Sequence, residues 1–405
     1  MNGHRGRRAV VVGGGIGGLT AAVALHQQGW DATVLERATG LSPVGAGISL
    51  APNSQRALDT IGLGDRIRSL AAWQGEGGLR TPDGRWLNRM DSTVTSERYG
   101  GPLVLLHRAT LVDILVDRLP GTAVRTGSPA TLVDAGDAER PAVVGTPDGP
   151  LEADLVVGAD GIHSAVRRAL FPGHPGPRYS GFTTWRTVVP APDRPFTPHE
   201  TWGRGRLWGT QPLRDGRVYA YAAACAPAGA QARDGERAAL VRLFGDWHDP
   251  VPAVLAAAEG RVVRHDVHHM ADPLPAYHQG RVALLGDAAH AMQPTLGQGG
   301  NQAIEDAVVL VHHIAQAPGA AVDGLAAYTA DRLPRTMAVV RRATRTGQLA
   351  MLRSAPAVAL RNRLIAAASR LGPGVVLRGM DGIADWRPPG PTYAAGTAAA
   401  QGTAP

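Results

Sequence analysis

Residues 9–37 read AVVVGGGIGGLTAAVALHQQGWDATVLER, and no other stretch restricts the possible folds as strongly. The pattern is strand, tight turn, helix, strand. Residues 9–12 are apolar and partly β-branched, as in a strand covered on both faces. Gly13, Gly15 and Gly18 supply G-x-G-x-x-G. The first allows the turn, the second lets a pyrophosphate approach the backbone, and the third brings helix and strand together. The helix start offers free N–H groups and the positive end of a dipole. Leu19, Ala22, Val23 and Leu25 form its apolar side. Glu36 ends the second strand, where an acid accepts hydrogen bonds from ribose hydroxyls and repels a 2′-phosphate. An α/β domain holding a dinucleotide is expected, with FAD and NAD both open.

The bulk properties narrow the class. A chain of 405 residues has room for two or three domains, and 44% apolar with 19% charged residues is ordinary for a soluble globular protein. All 41 cationic side chains are arginine, against 34 acids, giving +7. They are scattered, without a basic run interleaved with aromatics, so no nucleic-acid partner is expected. One cysteine, Cys225, excludes an internal disulfide and fits a reducing, cytoplasmic setting. Arg7 and Arg8 before an apolar run imitate a secretion signal, but the glycines are placed for a turn. No run reaches the roughly 18 apolar residues of a membrane span. In RHDVHHMADPLPAYH (264–278), His265 and His268 fall on opposite faces of a strand, so no metal is expected.

A second turn lies far downstream, in LLGDAAHAMQPTLGQGGNQAIEDA (284–307). An apolar strand ends at Asp287, and a helix opens near Gly299 or Asn301 with Ile304, Val308, Val311 and Ile314 at helical spacing. Glu305 and Asp306 occupy its first turns, where the dipole favours acids. Asp287 can bind the polyol of a long cofactor, and the helix start can stabilise negative charge on a ring above it. An NAD site needs no such second turn; FAD, extended across a domain, does.

Between them, residues 176–272 change character. GFTTWRTVVPAP, ETWGRGRLWGTQPL and GRVYAYAAAC read as antiparallel strands, with RDGR at 214–217 a turn. This segment is expected to form a substrate domain covering the ring. Trp185, Arg186, Trp208, Tyr219 and Tyr221 are its candidate substrate residues. Packing is the alternative for the aromatics. Tyr219 and Tyr221 share a face by alternation. Arg186 can bind a substrate anion, and His290 reads as a structural donor.

These motifs together resemble the FAD-dependent aromatic hydroxylases, the single-component flavoprotein monooxygenases related to salicylate and para-hydroxybenzoate hydroxylases. The resemblance is carried by GGGIGGLTAAVAL with Glu36 and Arg37, GAGISLAPNSQRALDTIGL (45–63), HRATLVDIL (107–115), LVVGADGIHSAVR (155–167), GDAAHAMQPTLGQGGNQAIEDA (286–307) and YTADRLPR (328–335). It implies non-covalent FAD, with NADPH or NADH as co-substrate and O2 as oxidant, acting through a flavin C4a-hydroperoxide on an electron-rich ring. Carried over, Gly13, Gly15, Gly18, Glu36 and Arg37 hold the ADP half. Gly47 and Arg108 lie along the flavin and ribityl regions, and Asp287 contacts the ribityl chain and pyrophosphate. Pro294, Gly297, Gly299, Gly300 and Asn301 edge the isoalloxazine, while Asp160, Gly161 and Arg167 help bind FAD and the nicotinamide cofactor. Arg186, Tyr219, Tyr221 and Pro294 are the catalytic candidates, and no base is singled out.

The expected fold is α/β: a Rossmann-like FAD-binding domain of the para-hydroxybenzoate hydroxylase type with an inserted antiparallel-sheet substrate domain and C-terminal helices. FAD-binding parts are expected at 1–75, 106–175 and 273–335, substrate-domain parts at 76–105 and 176–272, C-terminal helices at 336–388 and a disordered tail at 389–405. The expected partner is a small aromatic or natural-product substrate, with no membrane association, in a monomer or homodimer. Epoxidation of a non-aromatic natural product and a non-turning-over FAD scaffold are the alternatives.

Overall fold

The computed structural model describes residues 7–41, 47–71, 75–259, 262–317 and 321–390. The tail expected at 389–405 lies outside the described residues from 391 onward.

The first sheet is built around Arg8–Val12, which pairs in parallel with Asp31–Leu35 on one side and Leu155–Gly158 on the other. Val124–Arg125 extends one edge, and Val282–Leu284 followed by the antiparallel His278–Gln279 extends the other. Apart from its first residue the central strand is buried, as continuous apolar runs in parallel sheets are. The helix Ile16–Gln27 is buried continuously from Ile16 to Leu25, not on one side only. It lies between the sheet, the helix Arg108–Val116 and the helix Gly299–Gln316, so no face meets water.

The second sheet has seven strands in the order Val263–His269, Arg178–Pro190, Arg217–Cys225, Arg206–Pro212, His199–Trp202, Glu76–Arg80 and Trp86–Asp91. Neighbours are antiparallel except His199–Trp202 with Glu76–Arg80. The 206–212 and 217–225 strands join through a turn closed by Leu213 N–H on Arg217 O (2.8 Å), with Gly216 at φ +78°. One face packs on the helices Glu236–Phe244 and Val251–Ala257 through Trp185, Trp208, Val218, Ala220 and Ala222. The other turns toward the first domain.

The boundary expected at 335–336 falls inside one helix. A single helix, Val322–Ala350, runs through Pro334 and then gives way to Ala355–Arg370. Buried Tyr328, Arg332, Thr336, Met337 and Val340 hold it on both sides of the proline, and tertiary packing outweighs the lost backbone bond.

Candidate active site

The fingerprint turn is held from within. Gly13 adopts φ +112°, and a Cβ there would stand 2.4 Å from Ala159 O. A Cβ on Gly18 would stand 2.1 Å from Gly13 O, so this glycine permits the close approach of helix and turn. Gly15 faces open space, and no side chain caps the helix that follows. Its first N–H groups are therefore free for an anion. Glu36 steadies the turn by accepting from Gly14 N (2.8 Å) and Ala38 N (2.8 Å). Arg37 is exposed.

The late turn faces the early one. From Val282 to Ala291 every residue is buried except Asp287, which looks into the cavity between the domains. Gly286 (φ +59°) sets this geometry, and its N–H donates to Asp306 Oδ2 (2.8 Å). The same oxygen meets His290 Nε2 at 2.5 Å, and Arg332 Nε donates to Oδ1 at 2.7 Å. Arg332 and Arg335 both donate to Glu305 (2.7 Å each), which also accepts from Asn53 (2.7 Å). Glu305 and Asp306 are thus fully buried partners of two arginines on the following helix. Ion pairing, not the helix dipole, accounts for their presence in the first turns. Desolvation pushes Asp306 upward, but His290 and Arg332 outweigh it and hold its carboxyl down to about 2.

One cavity of about 580 Å³ joins these turns to the second sheet. Gly15, Gly47, Arg108, Gly161, Asp287, Pro294, Gly297, Gly299 and Gly300 line the side of the two turns, and Arg186, Tyr219 and Tyr221 its sheet side. Burial lowers the Arg108 pKa, nearby Asp287 raises it, and Arg186 lowers it again, so these three charges share one electrostatic neighbourhood. Tyr219 and Tyr221 lie side by side with centroids 5.5 Å apart. Burial raises both hydroxyl pKa values, that of Tyr221 well above its usual value. An extended dinucleotide fits this space. The cradle at Gly15 is open, and the uncapped helix start at Gly299–Gly300 opens on the same cavity.

Other expected residues stand behind the walls. Trp185 and Trp208 do not line the cavity. Strand alternation turns them to the helix-covered face, where Trp185 Nε1 donates to Glu236 (2.6 Å) and Trp208 packs on Phe244. Asn301 is buried, accepting from Ala51 N (2.8 Å) and donating to Ser49 O (2.9 Å) and Gly297 O (2.7 Å). Asp160 caps the helix Ala165–Leu170 by accepting from Ala165 N (2.7 Å). Arg167 donates to Ala288 O (2.8 Å) and Ile162 O (2.6 Å), tying the loop after Leu155–Gly158 to the one after Val282–Leu284. Glu200, Gln211 and Thr184 line the cavity but were not expected there. Glu200 had one legible sign, an acid at a strand position between His199 and Trp202.

A family model described as an FAD binding domain matches residues 7–343. The aurachin C monooxygenase/isomerase of Stigmatella aurantiaca is 36% identical over 368 residues, which cover 89% of this chain and 94% of that protein. The 3-amino-4-hydroxybenzoate 2-monooxygenase of Streptomyces cremeus is 39% identical over 360 residues, covering 84% and 87% respectively. Klebsiella pneumoniae HpxO, solved in complex with FAD and uric acid, superposes with a TM-score of 0.84 at 30% identity, covering 95% of this chain and 97% of that one. With the two turns meeting at one cavity, the chain belongs to the FAD-dependent aromatic hydroxylase family and is an FAD-dependent monooxygenase.

Proposed function

We propose that the chain takes electrons from NADPH or NADH and uses O2 to hydroxylate a small aromatic or heteroaromatic molecule in this cavity. The observation that carries the reading is the shared space itself, with two uncapped helix starts on one side and Arg186, Tyr219 and Tyr221 on the other. Bound FAD supplies the redox and oxygen-activating chemistry. On this reading the Gly13–Gly18 turn receives the pyrophosphate, Glu36 the ribose and Arg37 the outer adenosine side. Asp287 and Arg108 take the ribityl and pyrophosphate region. Gly47, Pro294 and Gly297 border the ring, and the N–H groups of Gly299 and Gly300 stabilise negative charge at its edge. Asn301, Asp160 and Arg167 support these loops from behind, and Gly161 leaves room on the cavity side. Arg186 orients an anionic or carbonyl group of the substrate.

The chain would work in the cytoplasm as a monomer or homodimer, on a small molecule and without nucleic acid or membrane. No helix among the described residues is long and apolar enough to cross a bilayer. Anaerobic titration of the purified yellow protein with NADPH and with NADH, alone and with urate or 3-amino-4-hydroxybenzoate, tests the reading. Bleaching of the flavin is expected; an unbleached flavin under all these conditions would refute it.

A further inference from the structure

Beside the main cavity lies a groove of about 230 Å³ that the assignments above leave unused. It opens between the strand Val104–His107, the segment after the helix Gly64–Arg68 and the hairpin turn at 213–217. Leu70, Leu105, Leu106 and Leu213 line it together with His107 and Thr110. Arg214 and Asp215 complete the lining from the exposed hairpin tip, where both are engaged. Arg214 donates to Ser69 O, and Asp215 pairs with Arg217 at 2.6 Å. Burial and then Arg217 lower the His107 pKa against an opposing pull from Asp215, so this ring is uncharged at neutral pH.

The groove continues the main cavity on two walls. Leu105 lines both spaces, and Leu103, 52% exposed, lies two residues earlier on the main cavity. Across from them, Gln211 pairs with Tyr219 and lines the main cavity, while Leu213 lines the groove. Alternation keeps Gln211 and Leu213 on one face of their strand. This wall therefore passes from the polar aromatic surface at Tyr219 and Tyr221 to leucine.

We propose that the groove is a substrate subsite for an aliphatic substituent, so that the molecule hydroxylated in the main cavity is an aromatic ring carrying an apolar chain. The inference rests on the monooxygenase reading and adds to it the substrate class. The ring sits against the polar sheet side, and the chain leaves past Leu105 to lie between Leu70 and Leu213. It is recognised through buried apolar area, so affinity should rise with chain length until the groove is full.

Calorimetric titration of the FAD-loaded protein with phenol and with 2-, 3- and 4-alkylphenols, their linear chains running from methyl to octyl, tests this. At one ring position the dissociation constant should fall about threefold or more per methylene over the shorter chains and then level off. Leu213→Trp and Thr110→Phe each fill the groove and should abolish the gain while leaving phenol itself bound as before. Leu70→Ala enlarges the groove and should move the levelling to a longer chain, which simple adsorption of alkyl chains to the surface would not do. FAD content and melting temperature establish that the variants fold. Affinity independent of chain length at all three ring positions, or a gain that persists in both filled variants, would overturn the proposal. Either result in a protein whose flavin NAD(P)H bleaches refutes the subsite alone; a flavin that is never bleached refutes the monooxygenase reading.

Discussion

A methyl group placed on Gly18 would lie 2.1 Å from Gly13 O, whereas one placed on Gly15 would meet nothing within 4 Å. Two glycines of one motif thus separate packing from ligand approach. Gly18→Ala should lower the melting temperature of the apoprotein, at a cost of about 1–3 kcal/mol for overpacking. Gly15→Ala should leave that temperature within a degree or two but weaken FAD binding by roughly tenfold or more, as its Cβ enters the pyrophosphate path. Thermal melts with and without FAD distinguish the two, and equal apoprotein destabilisation would contradict the assignment. Asp306 makes a different kind of residue-level claim. Its pKa falls from an ordinary 3.8 to about 2 because His290 and Arg332 outweigh desolvation. A depressed carboxyl contributes stability that is present above the unfolded value and is lost as pH falls through the folded one. Asp306→Asn should therefore cost about 3–5 kcal/mol at neutral pH by leaving Arg332 underpaired. The gap between variant and parent should narrow between pH 4 and about 2, as urea titrations at each pH would show. A gap that stays constant with acid would remove the ion-pair explanation.

Alternation divides the strands of the second sheet into two faces. Val218, Ala220 and Ala222 face the helices, while Tyr219 and Tyr221 face the cavity, and the same rule separates Trp185 from Arg186. Trp208→Ala is expected to cost about 3–5 kcal/mol through the void left against Phe244. Aromatic ligands should still perturb its flavin spectrum, while Tyr219→Ala should weaken that perturbation with a smaller loss of stability. Melting temperature and spectral titration on both variants check this, and loss of ligand binding in Trp208→Ala alone would contradict it. These strands were legible because VYAYAAA alternates and RDGR marks its turn. Which face is the cavity was not legible, since both faces take aromatic and apolar side chains. Glu305 and Asp306 were misread for a related reason. Their position near the start of a helix already had a local explanation, and the arginines that pair with them lie on another helix. Pro334 lies inside the helix Val322–Ala350, and packing on both sides of it carries the helix through.

At the scale of the whole molecule, the two glycine-rich turns are brought to one cavity because Leu155–Gly158 inserts between Arg8–Val12 and Val282–Leu284. This parallel order places both strand-end turns at the same edge of the sheet, where ligands of α/β folds bind. The turns themselves were legible as short motifs, and their order along the chain identified the family. Their convergence depends on contacts more than a hundred residues apart, and the buried ion pairs behind the second turn on side chains of two neighbouring helices, neither of which a local pattern records. The central claim is that one FAD is gripped at its adenosine end by the early turn and at its ring end by the late one. Calorimetric titration of the apoprotein with FAD and with ADP, on the parent, Glu36→Ala and Asp287→Ala, tests it most directly. One FAD should bind per chain; Glu36→Ala should weaken FAD and ADP alike, and Asp287→Ala should weaken FAD at least about tenfold while leaving ADP unchanged. Asp287→Ala weakening ADP as much as FAD, or an apoprotein that takes up no FAD, would contradict the two-ended grip.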